Sequence, residues 1–126
     1  MVDLRHLARA ALVLWALHLP AAAADGSTDS GRKIFERRCQ TCHQGSSPPD
    51  SAIGPSLVGI VGRKAGTGST GVHSRAMIEA DMVWTRGALR RFLSDPKRET
   101  PGTLMPVQVD DPKELDDLLD YLESLR

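Results

Sequence analysis

The feature that most constrains this chain is the run CQTCH at residues 39–43. Two thiols three positions apart lie on one side of a helical turn, where both can react with one flat ligand. A histidine directly after the second thiol is then held against the centre of that ligand. A haem fits this geometry, because its two vinyl groups form thioethers with cysteines and its iron accepts an imidazole. The run therefore predicts one covalent haem c, attached at Cys39 and Cys42, with His43 as proximal iron ligand.

Other uses of a close cysteine pair agree less well with the sequence. The chain has 2 cysteines, which excludes a four-cysteine zinc site. After residue 25 only His43 and His73 remain to complete a mixed zinc site. A thioredoxin-like redox dithiol lies where a strand meets a helix, whereas this pair follows a helical pattern. A structural disulfide would leave His43 without a role. The dithiol and the disulfide remain open as alternatives.

The first 24 residues have the layout of a secretory signal peptide. Arg5 and Arg9 precede an apolar run over residues 10–19, and a proline and four alanines close the segment. The apolar run is about half the length that spans a bilayer, so no stable membrane anchor is expected. An uncleaved anchor is the alternative. We expect cleavage near Ala24-Asp25 and export to the periplasm.

Cleavage there would leave residues 25–126 as one domain of about 102 residues in an oxidising compartment. Small domains with few large apolar side chains usually need a metal, disulfides or a cofactor to complete the core. The aromatic residues of this domain are Phe35, Trp84, Phe92 and Tyr121. The sparse aromatic content is a further indication of a bound haem.

The charge of the domain gives little information about partners. Of the chain's 16 basic and 16 acidic residues, Arg5, Arg9 and Asp3 belong to the leader, so 14 and 15 remain. A net charge near −1 does not favour nucleic-acid binding. Basic residues crowd the segment before the CQTCH run, and acidic ones crowd residues 110–123. This uneven distribution is typical of a solvated surface and could also orient a docking partner.

Helical periodicity in the first half predicts one helix followed by a long loop. Ser27 or Ser30 can cap the helix, in which Ile34, Phe35 and the two cysteines recur at near-helical spacing. Residues 44–74 are rich in Gly, Pro, Ser and Thr, which predicts an extended Ω-like loop. A loop of this length inside a compact domain needs something to organise it, and a haem edge would do so.

The second half predicts two further helices, so we expect an all-α fold. Thr85 can cap a short helix that Asp95-Pro96 stops. Asp111 can cap a final helix with Pro112 at its first position. The final helix carries one apolar stripe, formed by Leu115, Leu118, Leu119, Leu122 and Leu125.

The order of these motifs resembles the class I cytochrome c family, most closely its cytochrome c2 and mitochondrial-type members. The resemblance runs from Gly31 to Leu125. The segments that carry it are GRKIF at 31–35, GPSL at 54–57, GIVGR at 59–63, Trp84, TPGTLM at 100–105, Leu118 and Tyr121. It implies three to five helices wrapped around one covalent haem c with long Ω-like loops.

The resemblance also implies roles for particular residues. Gly31 and Phe35 would lie where the first helix packs against the final one. Trp84 and Arg63 would hold a haem propionate, by a neutral and a charge-assisted hydrogen bond respectively. Residues 100–105 resemble the loop that presents a distal methionine, here Met105.

The residues themselves also favour Met105 as the distal ligand. An electron-carrying haem with two axial ligands commonly uses His or Met as the second. The candidates are His73, Met77, Met82 and Met105. Prolines on both sides of Met105 stiffen its backbone, whereas Met77 and Met82 are typical of core fillers. We predict His–Met axial ligation by His43 and Met105.

Three positions depart from the family pattern. Phe92 stands where many relatives carry a tyrosine, so a hydrogen bond to the methionine sulfur is not expected. His73 stands near a tyrosine that binds a propionate in relatives; it takes over that contact or remains a solvated loop residue. Leu104 replaces a lysine of the haem rim, which argues against docking to the same partners.

The predicted function is that of a small exported monohaem cytochrome that shuttles single electrons, with no enzymatic activity of its own. Expected partners are a membrane cytochrome complex, an oxidase or a dehydrogenase, and the protein is expected to be a monomer. A dedicated cytochrome subunit of a periplasmic dehydrogenase or oxidase complex is the alternative. A haem-based sensor is a third possibility, which would need an open coordination position on the iron.

Overall fold

The computed structural model describes residues 23–43, 53–68 and 71–126. Its helices are α1 (Ala23–Arg38), α2 (Arg75–Glu79), α3 (Arg86–Ser94), α4 (Pro96–Glu99) and α5 (Pro112–Ser124). Within these ranges the β structure consists of one isolated antiparallel bridge, between Lys64 and Val83. The prediction of an all-α fold is confirmed.

Both predicted caps of the second half are confirmed. The Thr85 hydroxyl accepts a hydrogen bond from the Ala88 N–H at 3.1 Å, at the start of α3. The Asp111 carboxylate accepts one from the Glu114 N–H at 2.8 Å, with a proline at the first position of α5. Each cap satisfies a backbone N–H that has no partner inside the helix. The two helices therefore begin where the sequence predicts.

Two one-turn helices were not predicted. Ser74 caps α2 by accepting from the Met77 N–H at 3.1 Å. Asp95, which ends α3 as predicted, also caps α4 by accepting from the Arg98 N–H at 3.1 Å. Pro96 then occupies the first position of α4, where its missing N–H has no helical partner to lose. One residue pair therefore ends one helix and starts the next.

The predicted start of the first helix is wrong. α1 begins at Ala23, so Ser27 and Ser30 lie inside it and do not cap it. The Ser27 side chain instead forms a hydrogen bond with Asp120 of α5. The predicted cleavage point at Ala24-Asp25 falls in the first turn of α1, and residues 1–22 of the predicted leader lie outside the described residues. None of the helices in the described ranges is long and apolar enough to cross a membrane.

The crossing of α1 and α5 forms the centre of the core. A Cβ atom at Gly31 would overlap the backbone carbonyl of Asp117 and lie 2.8 Å from the Tyr121 Cβ, so only glycine permits this approach. The rings of Phe35 and Tyr121 lie beside this point, with centroids 5.3 Å apart. The predicted contact at Gly31 and Phe35 is confirmed. The predicted leucine stripe of α5 is confirmed for Leu115, Leu118, Leu119 and Leu122, which are buried. Its last member, Leu125, follows the helix as the C-cap and is partly buried.

Much of the uneven charge of the sequence is paired between helices. Arg86 of α3 lies 2.7 Å from both Asp120 and Glu123 of α5. At the other end of α5, Glu114 pairs with Arg37 and Arg38 of α1, at 3.3 and 3.1 Å. The acidic helix and the basic segments therefore contact each other within the fold.

The predicted loop over residues 44–74 is confirmed in the parts that are described, 53–68 and 71–74; the remaining residues lie outside them. Backbone hydrogen bonds fasten it to the helical part. The Gly62 N–H donates to the Trp84 carbonyl at 2.8 Å, and the Gly59 N–H donates to the Leu125 carbonyl at 2.8 Å. Gly71 has a φ of +74°, and a Cβ there would overlap the Gly54 carbonyl. The two loop segments around Gly54 and Gly71 therefore pass each other in close backbone contact.

Candidate haem site

The CQTCH run lies in a tight turn that directly follows α1. The Cys39 N–H donates to the Phe35 carbonyl at 2.8 Å, which continues the helical pattern for one more residue. The Cys39 carbonyl then accepts from the N–H groups of Cys42 and His43, at 3.1 and 2.8 Å. These bonds place Cys39, Cys42 and His43 in one turn. The attachment of a haem to both thiols stays a prediction.

The two thiols differ in burial. Both cysteines are free; Cys39 is buried and Cys42 is half-buried. Burial raises the pKa of the Cys39 thiol to about 11, and the charge of Arg38 only partly opposes this. A redox dithiol needs a thiolate of lowered pKa as its nucleophile. The environment of Cys39 therefore argues against the dithiol alternative.

Two backbone groups after the run fix the orientation of His43. Its Nδ1 lies 2.8 Å from the Pro55 carbonyl oxygen, which can only accept, so Nδ1 carries the proton and Nε2 keeps its lone pair. A Cβ at Gly54 would lie 2.6 Å from the His43 Cε1, so this position has room only for glycine. The Gly54 N–H also donates to the Cys42 carbonyl at 2.9 Å. Residues 54–55 therefore hold both the ring and the turn.

The electrostatic environment of His43 favours the neutral ring. Burial lowers the pKa of the imidazole, and the hydrogen bond to Pro55 opposes this less strongly. A neutral imidazole with Nδ1 bonded to a carbonyl is the usual form of a metal-ligating histidine. The role of the Pro55 carbonyl was not predicted from the sequence. The Gly-Pro pair was noted there only as part of a family-like segment.

The structure brings Arg63 and Trp84 together. The backbone N–H of Trp84 donates to the backbone carbonyl of Arg63 at 2.9 Å, beside the bridge between Lys64 and Val83. The Trp84 ring is buried, and its centroid lies 5.1 Å from that of Phe92 in an edge-to-face arrangement. Two arms of the Arg63 guanidinium donate to loop carbonyls, Nη2 to Ser56 at 2.6 Å and Nη1 to Val58 at 3.2 Å.

Some buried polar atoms have no protein partner within the described residues: Arg63 Nε, His73 Nε2 and Thr100 Oγ1. Burial also lowers the pKa of the Arg63 guanidinium. Buried donors are normally paired, so an unpaired one indicates an acceptor other than the described residues. The carboxylates of a haem are acceptors of this kind. The residues of this loop therefore fit the predicted group.

A β-turn presents Met105. The Thr103 N–H donates to the Thr100 carbonyl at 3.0 Å, with Pro101 second and Gly102, at a φ of +91°, third in the turn. This is the residue pattern of a type II turn. The Met105 N–H then lies 3.3 Å from the Thr103 hydroxyl oxygen, to which it donates.

Burial does not separate the candidate methionines. Met77, Met82 and Met105 are all partly buried and packed against the core. The proline-glycine turn before Met105 is the feature that the other two lack. The sequence argument from local rigidity therefore applies to Met105 alone.

These features together define an all-α protein with an attachment turn for a c-type haem. Comparison with known proteins agrees: the cytochrome c family model matches residues 28–126. The chain therefore belongs to the cytochrome c family. It is a class I monohaem cytochrome c that carries one covalent haem c and takes part in electron transfer.

Several individual proteins are similar to this chain. Cytochrome c2 of Agrobacterium tumefaciens (strain II Chrys) is 39% identical over 102 residues, covering 78% of this chain and 91% of its own length. Cytochrome c2 of Blastochloris viridis is 34% identical, covering 96% of this chain and 94% of its own. Among solved structures, cytochrome cH from Methylobacterium extorquens matches with a TM-score of 0.69 and 35% identity, covering 77% of this chain and 97% of that one.

Proposed function

We propose that this cytochrome is an exported monomeric carrier that passes single electrons between redox proteins in the periplasm. The leader-like residues 1–24 support export. The match to the Blastochloris viridis protein covers 96% of this chain, so it extends into that segment as well. A membrane cytochrome complex, an oxidase or a dehydrogenase would serve as partners. No catalytic activity of its own is proposed.

The proposed axial ligands are His43 and Met105. When bound, the haem supplies an iron that alternates between the ferrous and ferric states. The observation that carries the proposal is the hold on His43, whose Nδ1 donates to the Pro55 carbonyl and leaves Nε2 as a ligand. The thioether of Met105 is a soft ligand that favours ferrous iron, so the reduction potential should lie above that of a bis-histidine haem.

Arg63 and Trp84 are proposed to bind a haem propionate. Arg63 is held by the Ser56 and Val58 carbonyls, while its Nε remains unpaired within the described part of the chain. Its charge would strengthen the hydrogen bond to a carboxylate. Trp84 would add the neutral indole N–H. The backbone hydrogen bond between the two residues, from the Trp84 N–H to the Arg63 carbonyl, supports a shared role.

Leu104, next to the proposed ligand Met105, bears on the choice of partner. Its side chain is 72% exposed. A lysine at this position, as in some relatives, would attract an acidic partner over a long range, whereas a leucine offers only short-range apolar contact. Docking at this site should therefore depend weakly on ionic strength. We propose partners with an apolar rather than a strongly acidic contact surface here.

A ligand test separates the carrier from a haem sensor. Met105→Ala should abolish the weak far-red charge-transfer band of the ferric protein, lower the potential, and allow ferrous iron to bind carbon monoxide. Met77→Leu and Met82→Leu are matched controls, because both residues are equally packed against the core; they should keep the band. Rapid carbon monoxide binding by the wild-type protein would favour the sensor instead.

Two biochemical measurements test attachment and export. Haem should stay with the polypeptide through acid–acetone extraction, and Cys39→Ala with Cys42→Ala should release it. Mass spectrometry of the periplasmic protein should give the mass of a chain that begins near Asp25 and carries one haem. If the haem protein is found in the membrane fraction and retains residues 1–24, the result would favour an anchored cytochrome over a free carrier. Stoichiometric co-purification with a dehydrogenase would instead favour the dedicated subunit.

A further inference from the structure

The turn that presents Met105 is joined to α3 through the short helix α4. Glu99 is the last residue of α4 and directly precedes the turn at residues 100–103. A helix of one turn is too short to be stable alone, so α4 depends on contacts with its neighbours. Arg91 of α3 provides one of them, because its Nε donates to the Glu99 carboxylate at 2.8 Å. This contact connects α3 to the start of the turn.

The ion pair of Arg91 and Glu99 differs from an ordinary pair within one helix. Arg32 and Glu36 form such an ordinary pair on α1, at 3.3 Å. The Glu99 side chain is 24% exposed, against 47% for Glu36. A carboxylate that is partly shielded from water attracts its partner more strongly, because solvent and salt screen the charges less. The pair at Glu99 therefore helps to hold two helices together.

Backbone hydrogen bonds connect α4 to the turn that follows it. The Thr100 N–H donates to the Pro96 carbonyl at 2.9 Å, and the Thr103 N–H donates to the Thr100 carbonyl at 3.0 Å. Thr100 itself is buried. Because these bonds join neighbouring residues, a displacement of α4 from α3 would also displace the turn and Met105 behind it.

The backbone of Met105 has few other attachments. Its N–H bond to the Thr103 hydroxyl is long, at 3.3 Å. The next hydrogen bond of the main chain within the described residues is at Gln108, whose carbonyl accepts from Arg38 at 2.6 Å. The segment that carries Met105 is therefore fastened before and after this residue, and the attachment before it depends on α4.

We propose that Glu99, through its ion pair with Arg91, is a positioning residue for Met105 and limits how often this methionine leaves the iron. This rests on the proposed ligation by His43 and Met105. The pair keeps α4 against α3, α4 keeps the turn in place, and the turn keeps the thioether at its ligand position. Loss of the pair should raise the population of the form in which Met105 is detached.

Detachment of Met105 can be followed by adding imidazole to the ferric protein. The bond between iron and sulfur breaks, and the lone pair of a neutral imidazole nitrogen forms the new bond to iron. No electron is transferred and no proton moves. At saturating imidazole the observed rate is limited by the departure of Met105. An ion pair with partly exposed partners should slow that departure about two- to fivefold.

The test measures this limiting rate by stopped flow in the haem-loaded wild type, Glu99→Gln and Arg91→Gln. Each variant loses one charge of the pair and keeps a polar side chain. Each should react about two- to fivefold faster than the wild type. The Thr103 N–H should also exchange its hydrogen faster by about the same factor, because the turn opens more often.

Two further variants separate the pair from less specific effects. Glu36→Gln is the matched control, because it removes the same charge from the pair on α1; it should leave the limiting rate and the exchange unchanged. The double variant Glu99→Gln with Arg91→Gln tests the coupling. Since either single change breaks the whole contact, the double variant should react no faster than the single ones.

Several outcomes would overturn the proposal. An unchanged limiting rate in Glu99→Gln would show that the pair does not hold Met105. An equal increase in Glu36→Gln would assign the effect to net charge, and increases that multiply in the double variant would show that the two side chains act separately. The far-red methionine band is recorded on the same samples. Its absence from the ferric wild type would count against ligation by Met105 itself, whereas unchanged rates beside an intact band count against the role of Glu99 alone.

Discussion

The two sides of the molecule are held together in different ways. On one side, α1, α3 and α5 interlock through side chains: Phe35 lies on Tyr121, Leu118 is fully buried, and Arg86 pairs with α5. On the other side, residues 53–68 and 71–74 are held mainly through backbone hydrogen bonds and close glycine contacts. Ile60 of this side reaches the core, but two other large apolar side chains, Ile53 and Val72, are 68% and 63% exposed.

This difference separates the part of the fold whose interactions are made within the protein from the part that leaves polar atoms free to bind a ligand. On the helical side, apolar side chains pack against one another, and charged side chains form ion pairs between helices. The loop side is fastened through backbone hydrogen bonds, but the Arg63 Nε and His73 Nε2 atoms remain unpaired in the described part of the chain. Stability should therefore respond mainly to changes on the helical side, and redox properties mainly to changes in the loop. The following substitutions, made in the haem-loaded protein, test that division.

The largest effect should come from Gly31→Val. The added side chain would meet the Asp117 backbone, which cannot move without separating α1 from α5. We expect a loss of about 3 kcal/mol or more in the free energy of unfolding, measured by denaturant titration. Gly87→Ala is the control, because its Cβ would have no neighbour closer than 3.8 Å. It should raise stability by roughly 0.5–1 kcal/mol through helix propensity.

Truncation of one buried and one exposed apolar side chain compares the two sides directly. Leu118→Ala should cost about 3 kcal/mol, because it leaves a cavity at a fully buried position. Val72→Ala should change stability by less than about 0.5 kcal/mol, because that side chain is largely in solvent. Similar losses from both, in the same denaturant titration, would contradict the division between the two sides.

A third comparison tests whether the loop is rigid. Gly59 and Gly71 both have positive φ, so alanine at either should cost roughly 1 kcal/mol in backbone strain. A Cβ at Gly59 meets nothing within 4 Å, whereas one at Gly71 overlaps the backbone of Gly54. Gly71→Ala should therefore cost about 2 kcal/mol or more. Equal losses of thermal stability would mean that the loop relaxes around the new side chain.

The smallest effect concerns the junction of α1, α3 and α5. Partial burial raises the pKa of Asp120, but hydrogen bonds from Ser27 and Arg86 outweigh it and lower the pKa below the ordinary 3.8. A lowered pKa stabilises the folded state above pH 3.8, and this contribution is lost as the pH falls through the folded-state value. Asp120→Asn should cost about 0.5 kcal/mol at pH 6.

The pH dependence of this loss is the informative measurement. The difference between wild type and Asp120→Asn should narrow as the pH is lowered from 6 towards 3, because the wild-type carboxyl becomes protonated. Asp110→Asn is the control, since Asp110 accepts from the neutral amide of Gln108. It should show little loss at either pH. If the difference in unfolding free energy between wild type and Asp120→Asn stays constant with pH, the carboxylate charge is not the cause of the loss.

Local sequence signals predicted much of the fold, and their errors have physical causes. Asp111-Pro112 was interpreted as a helix start and Asp95-Pro96 as a helix end, yet the second pair also starts α4. The same chemistry applies to both, because aspartate is a favourable N-cap and proline is favourable at the first position of a helix. Ser27 was misassigned because α1 begins at Ala23, so Ser27 lies inside the helix, and its side chain bonds to Asp120, 93 residues away in sequence. The spacing of residues in the sequence does not predict this contact.

The candidate site divides in a similar way. The thiols and the imidazole were predictable because their chemistry depends on residue type and spacing. The Pro55 carbonyl that orients His43 was not, since every residue has a carbonyl and only the fold selects one. His73 belongs to the same class. Its residue type suggested a role, but the burial of Nε2 without a partner, which supports that role, appears only in three dimensions.

The hold of residues 54–55 on His43 has a consequence for the speed of electron exchange. The imidazole is bonded at Nδ1 to the Pro55 carbonyl, and Gly54 lies directly against the same Nδ1–Cε1 edge, so the ring cannot rotate freely. A redox centre whose ligands keep their positions in both oxidation states needs little rearrangement of nuclei at the moment of transfer. On the proposed ligation, the proximal side of the iron should contribute only a small reorganisation energy, and self-exchange should be correspondingly fast.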